Sequence, residues 1–393
     1  MASELLSSAI PIGPLGLIPL KSCEALGKQV DAHLARQRVE REHEQAHTIS
    51  FAGYEKPSFI IEASAPRFGT GEAKGVINAS VRGDDIYLMV DVCNYSLTYS
   101  LCGHVNHMSP DDHFQDLKRM IAAIGGKARR ITVIMPYLYE SRQDKRSGRE
   151  SLDCAIALKE LVNMGVSNII TFDAHDSRVQ NAIPLVSFED VPCIYQFIKA
   201  LLKTEKDLII DTDHLMVISP DEGGTRRAIH YANRLGVDMG MFYKRRDYSK
   251  VVDGRNPIVA HEFLGSDVTG QDVVIVDDMI SSGDSILDVA RELKRRKARR
   301  VFGVSTFGLF TNGLAKFDAA YEQGVIDRIY TTNLIYQTPE LLSRPYYVSV
   351  DLSKYIAMLI DHLNHNASIH DLLNPTERIN RLLARYRENP DLV

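Results

Sequence analysis

The chain has 393 residues, 25% of them charged, a net charge of −5 and 45% hydrophobic residues. That length accommodates two domains, and the composition is that of a globular protein rather than a disordered or fibrous one. No global positive field exists to attract nucleic acid or an anionic membrane, so an anionic substrate has to be held by local clusters of Lys and Arg. Five scattered cysteines, Cys23, Cys93, Cys102, Cys154 and Cys193, make no disulfide framework and suit a reducing, cytoplasmic compartment.

The uncharged stretch 5–20 has Glu4 where a secretion signal would be basic. Pro11, Gly13, Pro14, Gly16 and Pro19 interrupt it, so it is not read as a signal. No other apolar run approaches the length of a membrane span. Residues 18–20 are a candidate first strand, and Leu26, Val30 and Leu34 line one face of a helix running towards Arg41. Residues 56–80 read as strands and turns, and 86–92 as an apolar strand. Residues 93–108 read as an irregular loop. Its Cys93, Cys102, His104 and His107 include one Cys-x-His pair and no Cys-x-x-Cys, too little for zinc. Ser109-Pro110-Asp111-Asp112 starts a helix with Phe114, Leu117, Met120, Ile121 and Ile124 on one face, closed by Gly125-Gly126.

An alternating rhythm follows. Residues 131–135, 169–172, 215–219, 239–243, 273–276 and 301–306 read as strands, with helices over 152–164, to about 235, and over 285–297. Strands alternating with helices predict mostly parallel, doubly wound sheets. Polar and charged residues gather just after strand ends, where such sheets bind ligands. Four regions are expected: an extension with the first strand and helix (1–45), an α/β domain (46–195), a second α/β domain (196–344) and a C-terminal helix and tail (345–393).

The most informative segment is 273–285. A β-branched run ends in Asp277-Asp278, then Ser281-Ser282-Gly283-Asp284-Ser285 leads into Ile286, Val289, Ala290 and Leu293 at helical spacing. Backbone N–H groups at a helix start, helped by Ser hydroxyls, form a cradle for phosphate. Two carboxylates beside it suit a sugar with free hydroxyls or a hydrated Mg²⁺. Four further segments agree with this one. Residues 139–149 hold Arg142, Lys145, Arg146 and Arg149, a loop able to fold over polyphosphate. Asp173-Ala174-His175-Asp176 ends a strand; such a His can ligate a cation or bond a phosphate. Asp221-Glu222-Gly223-Gly224 makes a metal and phosphate corner, and Lys244-Arg245-Arg246 lies at another strand end, where alternation sends Lys244 and Arg246 to the same side, a solvated basic turn being the bland alternative.

The 273–285 loop resembles the phosphoribosyl-binding loop of type I phosphoribosyltransferases. Together the segments, with Arg67-Phe68-Gly69-Thr70-Gly71-Glu72 and residues 77–83 (Ile-Asn-Ala-Ser-Val-Arg-Gly), resemble the ribose-phosphate pyrophosphokinase family from about residue 18 to 373. The resemblance implies two similar phosphoribosyltransferase-like (type I) α/β domains. It also implies transfer of diphosphate from Mg-ATP to the 1-hydroxyl of ribose 5-phosphate. By the family pattern, Lys244 is the leading catalytic residue and Arg246 contacts ribose 5-phosphate or the transition state. Arg142, Gln143 and Asp144 with His175 would contact ATP. Phe68, Thr70, Gly71 and Glu72 match nucleotide contacts that a neighbouring subunit supplies. His175 and Asp221 match Mg²⁺ positions. Asp277 and Asp278 would hold the ribose hydroxyls, and Ser281, Ser282, Gly283, Asp284 and Ser285 the 5′-phosphate. The family implies homo-oligomers built from dimers, often hexamers, with no nucleic-acid or membrane partner.

This sequence departs from the pattern at several points. The family usually carries Asp-Thr-x-Gly-Thr in the cradle, so Ser281 replaces an acid and Asp284 stands where glycine is usual. Thr70 replaces an Asp, and Ala174 a Leu; the basic loop is one residue shorter, and 93–108 and both ends of the chain are longer. The competing readings are a phosphoribosyltransferase, which normally needs one such domain, and a catalytically silent regulatory homologue. A Walker A kinase is disfavoured because no GxxxxGK[ST] run occurs.

Overall fold

A computed structural model describes residues 9–41, 53–246 and 258–392, with side chains for all of these except 244–246 and 258–261. The chain divides into two compact units. Unit 1 comprises Met1–Pro192, Asn333–Tyr336 and Asp351–Asn374, and unit 2 comprises Cys193–Thr332, Gln337–Val350 and Pro375–Val393. The C-terminal stretch, read from sequence as a separate helix and tail, is therefore shared between the two units.

In chain order, unit 1 contains β1 (Leu15–Pro19), α1 (Glu24–Glu40), β2 (Ala63–Ser64), β3 (Val76–Ile77), β4 (Asp85–Met89), β5 (Thr98–Leu101) and β6 (His104–His107). It continues with α2 (Pro110–Ile124), β7 (Arg130–Ile134), α3 (Asp153–Asn163), β8 (Asn168–Phe172) and β9 (Ser187–Val191). The main sheet has the order β1-β4-β7-β8-β9, parallel throughout. β4 is buried on both faces, which is why it reads as an unbroken apolar run. Helix α2 starts as its sequence dictates: the Ser109 hydroxyl accepts from the Asp112 N–H and the Asp112 carboxylate accepts from the Ser109 N–H. Gly125 closes it at φ +58°. Phe114, Leu117, Met120, Ile121 and Ile124 face the core, each contributing on the order of 1.5–3 kcal/mol by burial.

One sequence expectation fails here. Residues 93–97 are loop and turn as expected, but 98–107 are not irregular: β5 and β6 form an antiparallel hairpin closed at Cys102-Gly103, both with positive φ (+49° and +85°). A two-residue turn with both residues in the left-handed region matches the twist of a hairpin. The strands are four residues each, too short for their alternation to be conspicuous.

Unit 2 opens with α4 (Ile194–Thr204), β10 (Leu215–Ser219), α5 (Thr225–Leu235), β11 (Asp238–Arg246), β12 (Ile258–Leu264) and β13 (Asp272–Ile280). It continues with α6 (Asp284–Arg295), β14 (Val301–Gly308), α7 (Ala315–Glu322), β15 (Arg328–Thr332), α8 (Pro339–Leu342) and β16 (Tyr347–Val350). The sheet order is β12-β11-β10-β13-β14-β15-β16, parallel except for the β11–β12 pair. Chain order reverses between β10 and β13, which is where open α/β sheets leave a crevice beyond their strand ends. One sequence reading is corrected: the strand at 273 continues through Asp277 and Asp278 to Ile280, because β14 pairs with it as far as Gly308. Lys244-Arg245-Arg246 form the end of β11, as their place at a strand end suggests, held in register by antiparallel β12 with an irregularity between Arg245 and Arg246.

The two sheets share an anchoring device. At the start of β4, buried Asp85 accepts two hydrogen bonds of 2.8 Å from Arg130, at the start of β7. At the start of β13, buried Asp272 is bonded by Arg299 and Arg300, which precede β14. Burial acts to raise the Asp272 pKa, but the two guanidinium groups overcome it and hold the carboxyl below its usual range. The arginines belong to the repeated run Lys-Ala-Arg-Arg at 127–130 and 297–300.

A second polar chain in unit 1 joins α1 to α9 (Ser353–Asn364). Arg38, 1% exposed, bonds Asp361 at 3.1 Å and Asn364 at 2.7 Å, and Asn364 in turn donates to Asp85 at 2.9 Å. Beside them His365 is buried, donating from Nδ1 to the Asp361 carbonyl at 2.7 Å. Burial lowers its pKa to about 4. An unfolded histidine titrates near 6.5, so this contribution to stability is complete above that pH and is lost as pH falls towards 4. The expected loss between pH 7 and pH 5 is about 2 kcal/mol, and His365→Gln should abolish that pH dependence, as read by urea denaturation of both proteins at both pH values.

Candidate functional site

The crevice end of the unit 2 sheet is built from three strand-to-loop exits. β10 leads into Pro220-Asp221-Glu222-Gly223-Gly224, and α5 begins immediately after. Asp221 organises this corner: its Oδ1 accepts from the Gly224 N–H at 3.2 Å, and its carbonyl accepts from the Ser219 hydroxyl at 2.7 Å. Gly224 is required because a Cβ there would lie 2.9 Å from the Ser219 Oγ.

On adjacent β13, Asp277 is half-buried and Asp278 buried. Asp277 accepts from the Asp278 N–H, and Asp278 from the Met279 N–H, both at 2.9 Å. The Asp277 pKa is raised well above normal by burial first, then by the negative charge of Asp278, with a smaller push from Asp221; Arg227 of α5 opposes them. Parallel pairing of β10 with β13 thus gathers three carboxylates and one guanidinium at one sheet edge. Arg227 was missed in the sequence; its signal was its position one turn after the Gly-Gly helix start.

The turn after β13 is narrow. Gly283 has φ +84°, and a Cβ there would sit 2.3 Å from the ring of Phe317, which is fully buried. The Ser282 hydroxyl donates to Asp284 at 3.0 Å, and the Thr311 N–H donates to the Ser281 carbonyl at 3.0 Å. Asp284 is exposed and pairs with Lys316 of α7 at 2.5 Å, which, followed by the Ser282 hydroxyl, lowers its pKa. Nothing in the sequence announced Lys316. It supplies a positive charge to the acid that stands where the family carries glycine. Lys244 and Arg246 lie by their backbones in β11, and their side chains fall outside the described residues.

Unit 1 carries the remaining candidates. Phe68 is 54% exposed, and Thr70 and Glu72 are exposed with their side chains bonded at 3.0 Å, in a loop bounded by the Arg67–Ala73 bridge. Arg142 and Gln143 project from an exposed segment after β7. Half-buried Asp144 keeps one carboxylate oxygen, Oδ2, buried without a hydrogen-bond partner. His175 is exposed after β8, next to Asp176, whose pKa Arg178 pulls well below normal. Among the described residues no three His, Cys, Asp or Glu side chains are grouped to hold a metal, and no helix is long and apolar enough to cross a membrane.

A mainly parallel sheet that delivers paired carboxylates into a glycine-pinched turn and a helix start defines a protein of the phosphoribosyltransferase type. The model of the N-terminal domain of ribose phosphate pyrophosphokinase matches residues 15–165, and that of the phosphoribosyl transferase domain matches residues 187–316. The ribose-phosphate pyrophosphokinase of Vibrio parahaemolyticus is 31% identical over 317 residues, covering 80% of this chain and 91% of its own. That of Vibrio cholerae is 30% identical over 319 residues, with the same coverage of 80% and 91%. The fold is similar to the crystal structure of phosphoribosylpyrophosphate synthetase from Mycobacterium smegmatis, with a TM-score of 0.70 at 21% identity over 90% of this chain and 100% of that one. The chain belongs to the ribose-phosphate pyrophosphokinase family, a family of diphosphate-transferring enzymes.

The pinched turn makes a direct prediction. Gly283→Ala should cost about 2–4 kcal/mol, combining left-handed strain with overpacking on Phe317. Gly313→Ala, at φ +75° with nothing within 4 Å, carries only the backbone strain and should cost about 1 kcal/mol. Chemical denaturation of the two variants checks the difference.

Proposed function

We propose that this chain transfers the β,γ-diphosphate of Mg-ATP to the 1-hydroxyl of ribose 5-phosphate, releasing AMP and 5-phosphoribosyl 1-diphosphate. The observation that carries this reading is the 272–295 strand–turn–helix. It presents Asp277 and Asp278 beside a turn whose backbone Gly283 alone permits, with Asp221 in the loop just past the neighbouring strand. In this reading Ser281, Ser282, Gly283 and Ser285 cradle the 5′-phosphate at the start of α6, where the backbone N–H groups and dipole of a helix favour an anion. Asp277 and Asp278 accept hydrogen bonds from the ribose hydroxyls. Asp284 belongs to the same cradle, its charge offset by Lys316.

Diphosphate transfer demands positioning and charge neutralisation more than covalent help from the protein. Lys244 stabilises charge on the transferred diphosphate, and Arg246 contacts the sugar phosphate or the transition state. Arg142, Gln143 and Asp144 approach ATP from their loop, and Phe68, Thr70, Gly71 and Glu72 contact the nucleotide. Carboxylates outnumbering the nearby guanidinium around Asp221 fit a hard divalent cation, which keeps several waters and takes its other oxygens from phosphate. Asp221 would hold Mg²⁺ on the unit 2 side, and His175 is a separate candidate ligand in unit 1, the weaker donor because hard Mg²⁺ prefers oxygen. When bound, the ion neutralises phosphate charge. The enzyme acts in the cytoplasm, consistent with five free cysteines, as a homo-oligomer assembled from dimers.

Incubation with Mg-ATP and ribose 5-phosphate should yield AMP only when the sugar is present. AMP independent of sugar, or none at all, sinks the reading. Lys244→Ala should reduce turnover at least ~10²-fold, the scale for removing one charge contact from a transition state. Ser282→Glu, which places a carboxylate in the cradle, should raise the KM for ribose 5-phosphate and spare that for ATP; steady-state kinetics with each substrate varied distinguishes the two effects.

A further inference from the structure

One face of the hairpin 98–107 is seated on the loop that bears Phe68, Thr70 and Glu72. That loop is poorly supported from within. Its own hydrogen bonds run from the Phe68 N–H to the Glu72 carbonyl (2.7 Å) and from the Gly71 N–H to the Phe68 carbonyl (2.9 Å). Phe68, Thr70 and Glu72 point into solvent, so none of them can anchor the loop by burial. Support comes from the hairpin. The Cys102 N–H donates to the Gly69 carbonyl at 2.9 Å. Leu101 closes on Gly71 so tightly that a Cβ on Gly71 would lie 2.8 Å from its Cδ1. Tyr99 lies under the Arg67 guanidinium, 4.5 Å from ring centre to Cζ, while Arg67 donates to the Gly71 carbonyl at 3.2 Å and to Asp116 at 3.0 Å. The Tyr99 hydroxyl is fixed in turn by Asn106 at 2.9 Å.

These contacts alternate along β5 as a strand requires. Tyr99 and Leu101 are half-buried on the loop, while Thr98 and Ser100 are exposed. A side chain that must stay exposed to meet a ligand is held only by the backbone beneath it, and pre-ordering that backbone removes an entropic cost from binding.

We propose that the 98–107 hairpin positions the Phe68–Glu72 loop, with Tyr99 and Leu101 setting the affinity for the adenine nucleotide. This rests on the proposed nucleotide role of that loop. Both residues are positioning residues, since neither is assigned a contact with substrate. Leu101→Ala and Tyr99→Ala should each raise the KM for ATP about fivefold, the effect of losing one packing or cation–π contact. The KM for ribose 5-phosphate, kcat and the thermal midpoint should stay within about twofold or two degrees of the parent. Tyr99→Phe keeps the ring under Arg67 and should restore the parental KM. In a Phe68→Ala background, Leu101→Ala should have no further effect, because the hairpin acts through the loop. An unchanged KM for ATP in both alanine variants overturns the inference. So does a parallel rise in both substrate KM values with a lowered midpoint, which would mark general structural damage. Titration with Mg-ATP alone provides an independent dissociation constant. If the parent binds ATP and the hairpin variants weaken it, yet no sugar-dependent AMP forms, the functional reading fails while the hairpin inference stands.

Discussion

The site in unit 2 depends on one constraint: β13 is paired in parallel with β10 on one side and β14 on the other. Parallel strands deliver their C-terminal ends to the same edge, so residues far apart in sequence become neighbours without any long-range recognition between their side chains. Asp221 and Asp277 are brought together in this way. Burial first, and then the crowding of carboxylates that Arg227 partly relieves, raises the proton affinity of Asp277. A sugar hydroxyl or a hydrated cation would relieve it further. The functional character of the edge therefore follows from sheet pairing first and from residue identity second.

The opposite ends of the same strands carry stability rather than chemistry. Asp85 with Arg130, and Asp272 with Arg299 and Arg300, bury carboxylates that would be costly if unpaired. Each pair ties the start of one strand to the start of the next and so fixes the register that aligns the far ends. In unit 1 the same Asp85 is also reached by Asn364, which links this anchor through Arg38 to α1. The chain returning at Asn364 thus braces the start of the sheet, its side-chain amide donating to the Gly13 carbonyl at 3.1 Å.

The altered turn proposed as a phosphate cradle is balanced by its surroundings. An acid at position 284 would repel an incoming phosphate, but Lys316 is seated on it and Ser282 donates to it. The acid and lysine form a locally neutral pair at a helix start that itself favours negative charge. The hydroxyls and the glycine that the cradle needs remain, and the glycine is enforced by Phe317.

Much of this was legible in the residues alone. Helix α2 was announced by Ser109, Pro110, Asp112 and Gly125, since caps and turns are local interactions written within a few positions. The αβ rhythm, the Asp277-Asp278 pair and the small turn after it likewise required only periodicity and composition. Other features were settled by contacts between distant segments. Strand β13 runs past its carboxylates because β14 offers partners that far, and Lys244 to Arg246 are strand because β12 folds back on them. The 98–107 hairpin was hidden by the shortness of its strands, and its seat on the Gly69–Gly71 backbone exists only in three dimensions. Lys316 carries no signature of its own, and Arg227 only its place one turn after the Gly-Gly helix start; both matter because tertiary packing places a charge beside an acid. Local sequence determined which segments are helix, strand and turn and which chemistry they can offer, since those depend on neighbours along the chain. The tertiary structure alone decided where strands end, which acids meet and which bases offset them, since electrostatics and strand pairing act through distance in space.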